Sequence, residues 1–369
     1  MNILVITQQY PKEGNIYMNG FVHTRIKAYQ NYYSDTYKVF VLNNNFSEYI
    51  YDGVSVTEGN KSLLAEELSK KYDRIIIHFL TEKMIPVILK NAQHIEKYIW
   101  IHGYEALSWK RRLFNLTHPD FLKYVILNTI QLKQMKKFVK EQKNTTFIFV
   151  SEWMKQIAEK DIGVNFKGYK IIPNGIDNET YSKQDKNGLE KNILLIRPFN
   201  SRKYATDIAL KALEILSKKK NFLEYKITIV GEGKYFEKDT SPIKNFSNVH
   251  FINRFLKSDE IAELHRENGI FLCPTRQDSQ GVSMCEAMSS GLVVISSNNT
   301  AIPEFVRDKK TGYLADSPEE IAEIIEVVSM DNEKFAQVSN LASKFIIDNC
   351  NLNDVIKKEV KLIKGAELT

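Results

Sequence analysis

A chain of 369 residues, 43% hydrophobic and 26% charged, has the length of two α/β domains and the composition of a globular protein. No apolar run approaches the roughly 20 residues that span a bilayer. The opening Met1–Thr7 is too short for a signal peptide, and three cysteines without paired spacing (Cys273, Cys285, Cys350) speak against a disulfide framework or a zinc site. A reduced, cytoplasmic setting is expected, and the seven scattered histidines predict no metal. The net charge of +6 is uneven. Residues 1–180 hold 24 Lys/Arg against 18 Asp/Glu, and residues 181–369 hold 27 of each, so the whole excess lies in the first half. Within it, Ser108–Lys143 carries nine basic and two acidic residues, which points to an anionic partner for that half.

In chain order, short β-branched runs alternate with amphipathic runs of helical length. Strands are predicted at 2–7, 37–42, 74–80, 97–102 and 145–150, with helices at 20–33, 61–71, 82–93 and 129–143. The turn-rich Ile172-Pro173-Asn174-Gly175-Ile176-Asp177 interrupts the pattern, and the polar 178–191 reads as a linker. The alternation restarts with strands at 193–197, 226–230, 249–252, 270–273 and 292–296, and helices at 203–219, 258–266 and 283–290. A helical tail runs from Glu319 to about Lys364, broken near 349–353. This predicts an α/β chain of two Rossmann-like domains, 1–177 and 192–348, with a cleft between them and a terminal segment 349–369.

The densest chemistry lies at Pro274-Thr275-Arg276-Gln277-Asp278-Ser279-Gln280-Gly281-Val282-Ser283-Met284-Cys285-Glu286-Ala287-Met288-Ser289-Ser290-Gly291. A strand precedes it and a helix opens within it. Gly281 permits close backbone approach, Ser283 suits a helix start, and the free N–H groups there favour an anion such as a diphosphate. Carboxylates only accept hydrogen bonds, so Asp278 and Glu286 suit sugar hydroxyls: Asp278 the transferred sugar, Glu286 a nucleotide ribose. A second cluster, Arg197-Pro198-Phe199-Asn200-Ser201-Arg202-Lys203, follows a strand with fixed cations. Cations there offset the negative charge that builds on a departing diphosphate.

The first of these segments resembles the donor-site motif of retaining glycosyltransferases of family 4, also called glycosyl transferase group 1. The match includes Asp278, Gly281, Glu286, Ala287, Met288 and Gly291. Asp278 stands where the family more often has Glu, and Ser289-Ser290 where Ala-Cys is usual. Ala301-Ile302-Pro303-Glu304 and Thr311-Gly312-Tyr313-Leu314 continue the pattern. The resemblance implies the glycosyltransferase B fold, with the last helix crossing back to the first domain. It also implies retention of configuration and no metal or other cofactor beyond the nucleotide-sugar; Asp-x-Asp is absent from the sequence. It places Arg197 and Lys203, with Arg202 as the rival, at the diphosphate. It places Gly231, Arg254 and Phe255 beside the donor, together with Gly281, Val282, Ser283 and Glu286. In the first domain it implies a backbone approach to phosphate at Gly20, a sugar contact at His102, and acceptor contacts at Tyr104 and Glu105.

The basic Lys110, Arg111, Arg112, Lys133, Lys136 and Lys137, with Leu132, Met135 and Phe138 on one helical face, suit an anionic membrane surface. No nucleic-acid-binding motif accompanies the charge. The reading is a glycosyltransferase that moves sugar from a nucleotide-sugar, UDP-linked, to a glycan or lipid-linked glycan in bacterial surface polysaccharide synthesis. A binding protein without transfer activity and a two-carboxylate hydrolase are the alternatives.

Overall fold

The computed structural model describes residues 1–13, 18–116 and 118–365. Two compact units form: Met1–Leu113 and His118–Pro173 together with Val355–Thr369, and Phe114–Thr117 together with Asn174–Asp354.

The first unit is built on β1 (Asn2–Thr7), β2 (Thr36–Leu42), β3 (Ser47–Tyr51), β4 (Val54–Gly59), β5 (Arg74–His78), β6 (Glu96–Ile101), β7 (Thr145–Phe149) and β8 (Tyr169–Ile171). Their order is β3-β4-β2-β1-β5-β6-β7-β8. All neighbours are parallel except β3 and β4, a hairpin closed by Asp52 and Gly53, both at positive φ. That Asp-Gly turn matches the twist of the strands it joins. Runs such as Ile3–Ile6 and Ile75–Ile77 are apolar at every position and fully enclosed, as expected of strands covered by helices on both faces.

Glu359, on the helix Leu352–Lys364, is wholly buried in this unit. Its carboxylate accepts hydrogen bonds from the Tyr29 hydroxyl at 2.6 Å, the Trp100 indole at 3.2 Å and the Arg25 Nε at 3.3 Å. A charge can be taken out of water only when paired and hydrogen-bonded in this way.

The second unit has one parallel sheet. Its strands are β9 (Asn192–Ile196), β10 (Lys226–Val230), β11 (Val249–Ile252), β12 (Ile270–Leu272), β13 (Val293–Ser297) and β14 (Tyr313–Ala315), in the order β11-β10-β9-β12-β13-β14. The stretch 178–191, expected to be a linker, is instead packed into this unit. Tyr181, Lys186 and Glu190 are buried, and the Lys186 ammonium donates to the His265 carbonyl, with burial lowering its pKa to about 8. Polar composition concealed this because the polar groups are satisfied by the fold rather than by water.

Candidate functional site

In the second sheet the chain order reverses between β9 and β12. At such a switch point the loops leaving two adjacent strands diverge, and a crevice opens at the strands' carboxyl ends. Both sequence clusters lie there. The loop after β9 begins at Arg197, and the loop after β12 runs from Cys273 to Gly281.

The two loops are bonded to each other. The Arg276 N–H and the Thr275 hydroxyl both donate to the Lys203 carbonyl, at 2.9 and 3.1 Å. The Arg276 guanidinium donates to the Arg202 carbonyl at 2.8 Å and grips Asp207 with two bonds of 2.8 and 2.7 Å. Arg197, nearly buried, donates to the Cys273 carbonyl at 2.9 Å and to the Ser283 hydroxyl at 3.1 Å. Motifs 80 residues apart thus share one rigid frame. Arg276 is the residue the sequence reading missed: it lies inside the recognised motif, but its partner Asp207 is remote in sequence.

The frame separates the rival cations. Arg202 is held by Asp239 at 2.7 and 2.9 Å, and its guanidinium lies 3.8 Å from the Tyr235 ring centroid. Its charge is spent inside the fold. Lys203, half-buried, has no carboxylate within ion-pair distance among the described residues. Gly231, at φ 143°, is required by packing: a Cβ there would lie 1.9 Å from the Arg197 carbonyl oxygen. Its glycine lets the end of β10 pass against the cationic loop.

Gly281 takes the left-handed conformation, φ 80°, that starts the helix Val282–Ser289. Asp278 closes this turn, since its Oδ1 accepts the backbone N–H of Gly281 at 2.9 Å and of Gln280 at 3.3 Å. Val282 is exposed at the helix start. The Gln280 amide exchanges hydrogen bonds with the Asn174 backbone at 2.7 and 3.0 Å and fixes the loop from below. Glu286 differs from all of these. It is partly buried, and among the described residues its carboxylate accepts no hydrogen bond and meets no cation. Burial, and secondarily the charge of Asp177, push its pKa up to about 7.

Farther along the same unit, Arg254 is exposed and paired with Glu260 through both terminal nitrogens. It lines a cavity of 580 Å³ with Glu179, Thr180, Leu256, Asp259 and Glu260, while Phe255 stands exposed.

The first unit has its own strand-end cluster. The His78 Nδ1 lies 3.1 Å from the His102 Nε2, and the two rings stack at 5.3 Å. The Phe21 ring, beside Gly20 at the start of the helix Gly20–Gln30, approaches the His102 ring at 5.2 Å, and the Phe79 ring lies 4.3 Å from it. A Cβ at Gly20 would meet nothing within 4 Å. Burial, then the charge of Arg25, lower the His102 pKa to about 3, so its imidazole is neutral. Tyr104 is half-buried. Glu105, expected to face the acceptor, is fully buried instead. Its two oxygens accept the backbone N–H groups of His102 at 2.7 Å and Gly103 at 3.1 Å. It is a positioning residue for the turn that carries His102.

The basic residues expected to meet a membrane divide in the same way. Arg111 forms a bidentate pair with Asp161 at 2.6 and 2.8 Å, and Arg112 lies over the Tyr124 ring. Lys136 is half-buried, Lys137 is 3.9 Å from Glu141, and Lys110 and Lys133 are exposed. Met135 and Phe138 are core residues and Leu132 packs against them, so the helical face they share is turned inward.

Residues 177–345 match the sequence model of the family described as glycosyl transferases group 1. The second unit belongs to this family. The chain is 28% identical over 162 residues to N-acetyl-alpha-D-glucosaminyl L-malate synthase of Bacillus anthracis, covering 41% of each protein. It is 25% identical over 245 residues to the lipopolysaccharide glucosyltransferase WaaG of Escherichia coli, covering 60% of this chain and 63% of WaaG. Each match thus spans less than two thirds of the relative's length. The fold is shared more widely. HepE of Anabaena, solved in complex with UDP, superposes with a TM-score of 0.74 at 15% identity, covering 99% of this chain and 100% of HepE. The two α/β units are those of the glycosyltransferase B fold.

Proposed function

We propose that the chain is a retaining glycosyltransferase. It takes a sugar from a nucleotide-sugar, UDP-linked, and passes it to a glycan or lipid-linked glycan in bacterial surface polysaccharide synthesis at the cytoplasmic side. The observation that carries this reading is a pair of groups at one switch point: among the described residues the Lys203 ammonium has no carboxylate within ion-pair distance and the Glu286 carboxyl accepts no hydrogen bond. Enclosed polar groups in a folded protein are ordinarily satisfied, so Glu286 is poised for a ligand, and the half-buried Lys203 keeps its charge available.

In this reading Glu286 accepts the ribose hydroxyls, and the N–H groups at the start of the helix Val282–Ser289 meet the diphosphate. Lys203, with Arg197 fixed behind it, stabilises the charge that develops on the departing phosphate. These cations take the place of a divalent ion, so neither metal nor further cofactor is required. Asp278 holds the Gly281 turn and offers its remaining oxygen to the transferred sugar. The neutral His102 of the first unit donates or accepts hydrogen bonds to sugar without adding charge. Support comes from the family of the second unit, from HepE's complex with UDP, and from WaaG, named for lipopolysaccharide glucosyl transfer.

The test is incubation with a panel of nucleotide-sugars in excess chelator, with nucleotide release followed with and without acceptor glycans. Acceptor-dependent release is expected. Sugar release from a glycan with no nucleotide requirement would replace the reading with a hydrolase. Nucleotide binding without turnover would reduce it to a binding protein.

A further inference from the structure

The first unit has a switch point of its own. Its strand order reverses between β1 and β5, which are adjacent and parallel. The loop after β1 leads into the helix Gly20–Gln30, and Phe21 lies in the first turn of that helix. Phe79 is the residue directly after β5. The side-chain amide of Gln8, in the loop after β1, donates to the Phe79 carbonyl at 3.3 Å. Phe79 has a left-handed backbone, φ 58°, which a bulky residue rarely adopts. Its surroundings hold it there. The buried Gln131 amide donates to the Leu80 carbonyl at 2.9 Å and to the Glu105 carbonyl at 3.0 Å, and accepts the Glu82 N–H at 2.6 Å. One side chain thus pins the turn that carries Phe79 to the turn that carries His102. A residue kept in such a conformation by its neighbours points to a function.

The rings at this point form an exposed wall. Phe21 is 38% exposed and Phe79 is half-buried, and their centroids lie 5.9 Å apart with the planes at 77°. The Phe79 ring is tilted 33° to the His102 ring. The Arg25 guanidinium lies 5.6 Å from the Phe21 centroid, but it donates to the buried Glu359, so its charge is spent inside the fold. Ligands of α/β sheets sit at the carboxyl ends of the strands at a switch point, against apolar and aromatic walls with few polar groups. We propose that Phe21 and Phe79 form the wall on which the C–H face of an uncharged acceptor pyranose stacks, beside the His102 imidazole. A pyranose suits the place because one face of its ring presents C–H groups to an aromatic surface, while the hydroxyls at its edge stay free for a polar partner. An anionic, ringless acceptor has no such face, and Arg25 already serves Glu359. The inference rests on the reading of the chain as a glycosyltransferase and deepens it, by naming the acceptor's class and the residues that select it.

The experiment is an NMR titration of the full chain, without donor, with the methyl glycosides of glucose, galactose and N-acetylglucosamine. Glycerol 3-phosphate serves as the anionic, ringless probe. Saturable contacts from the ring C–H protons of at least one glycoside are expected, without competition from glycerol 3-phosphate. Phe79→Gly removes the ring and relieves the left-handed backbone. It should weaken glycoside binding about ten-fold or more with little change in melting temperature. Phe21→Ala should weaken binding in the same direction, and Phe79→Tyr, which keeps a flat ring, should retain it. Absence of binding by all three glycosides, or binding that Phe79→Gly and Phe21→Ala leave intact, overturns the inference. So does tighter binding of glycerol 3-phosphate. A lower melting temperature in Phe79→Gly with normal binding in Phe21→Ala makes the rings packing groups, and overturns it as well. Nucleotide release that ignores every acceptor would refute transfer without altering these titrations, so the two failures are separable.

Discussion

Glu105 and Glu286 both follow a central parallel strand of their unit, Glu105 in the turn after β6 and Glu286 within the helix Val282–Ser289 that comes after β12, and burial raises both pKa values to about 7. Their surroundings differ. Glu105 is enclosed, and two backbone N–H groups occupy its oxygens; Glu286 has no donor among the described residues. The same shift therefore accompanies a finished structural contact in one unit and an unfinished one in the other. A perturbed carboxylate marks a ligand site only when its hydrogen bonding is incomplete.

The largest effect expected is at the unspent cation. Lys203→Ala should slow transfer by a factor equivalent to about 3–4 kcal/mol in the barrier, with melting temperature unchanged. Arg202→Ala should act mainly on stability, because it strands Asp239. Turnover and thermal melts of the two variants decide this, and equal losses of turnover with intact folds would erase the distinction. Next come the glutamates. Glu286→Ala should weaken nucleotide binding by about 1–3 kcal/mol in calorimetry with little loss of stability. Glu105→Ala should lower the melting temperature, because it uncaps the His102 turn, and leave nucleotide affinity unchanged. Unchanged affinity in the Glu286 variant would break the comparison.

The smallest effect is in pH dependence. Both carboxyls keep their protons to about pH 7 in the folded state but release them near 4.5 when unfolded. Through these two groups the folded state binds more protons in this window, so their contribution to stability falls as pH rises from about 5 to 7, while His78, His102 and His265, whose pKa values burial lowers, contribute with the opposite sign. Relative to the unsubstituted protein, Glu105→Gln and Glu286→Gln should each make stability fall less, or rise more, between about pH 5 and 7 in denaturant titrations. A slope unaffected by both substitutions would remove the shifts from the argument.

Much of this was legible beforehand. The strand–helix alternation is a local signal, and the segment from Pro274 to Gly291 carries its chemistry in consecutive residues. Partners distant in sequence were not legible. Arg202 and Lys203 are adjacent and alike until Asp239 claims one of them. Glu105 reads as an acceptor contact until the chain turns it back on His102. The β3–β4 hairpin escaped although Asp52-Gly53 announces a turn, because the half-exposed Ser47–Tyr51 has no strong apolar alternation. The helix Phe121–Glu141 misled most. Periodicity identifies its faces but not what each one meets: Leu132, Met135 and Phe138 pack into the core, and Asn128 and Gln131 join them there by satisfying loop backbone groups.

The burial of Glu359 sets an order of events during synthesis. Arg25, Tyr29 and Trp100 are made early, yet the carboxylate they enclose arrives more than 250 residues after Trp100. Until then the Tyr29 hydroxyl, the Trp100 indole and the Arg25 Nε lack the carboxylate that accepts all three. The first unit to emerge is thus the last to close, and the second can fold completely while its predecessor waits.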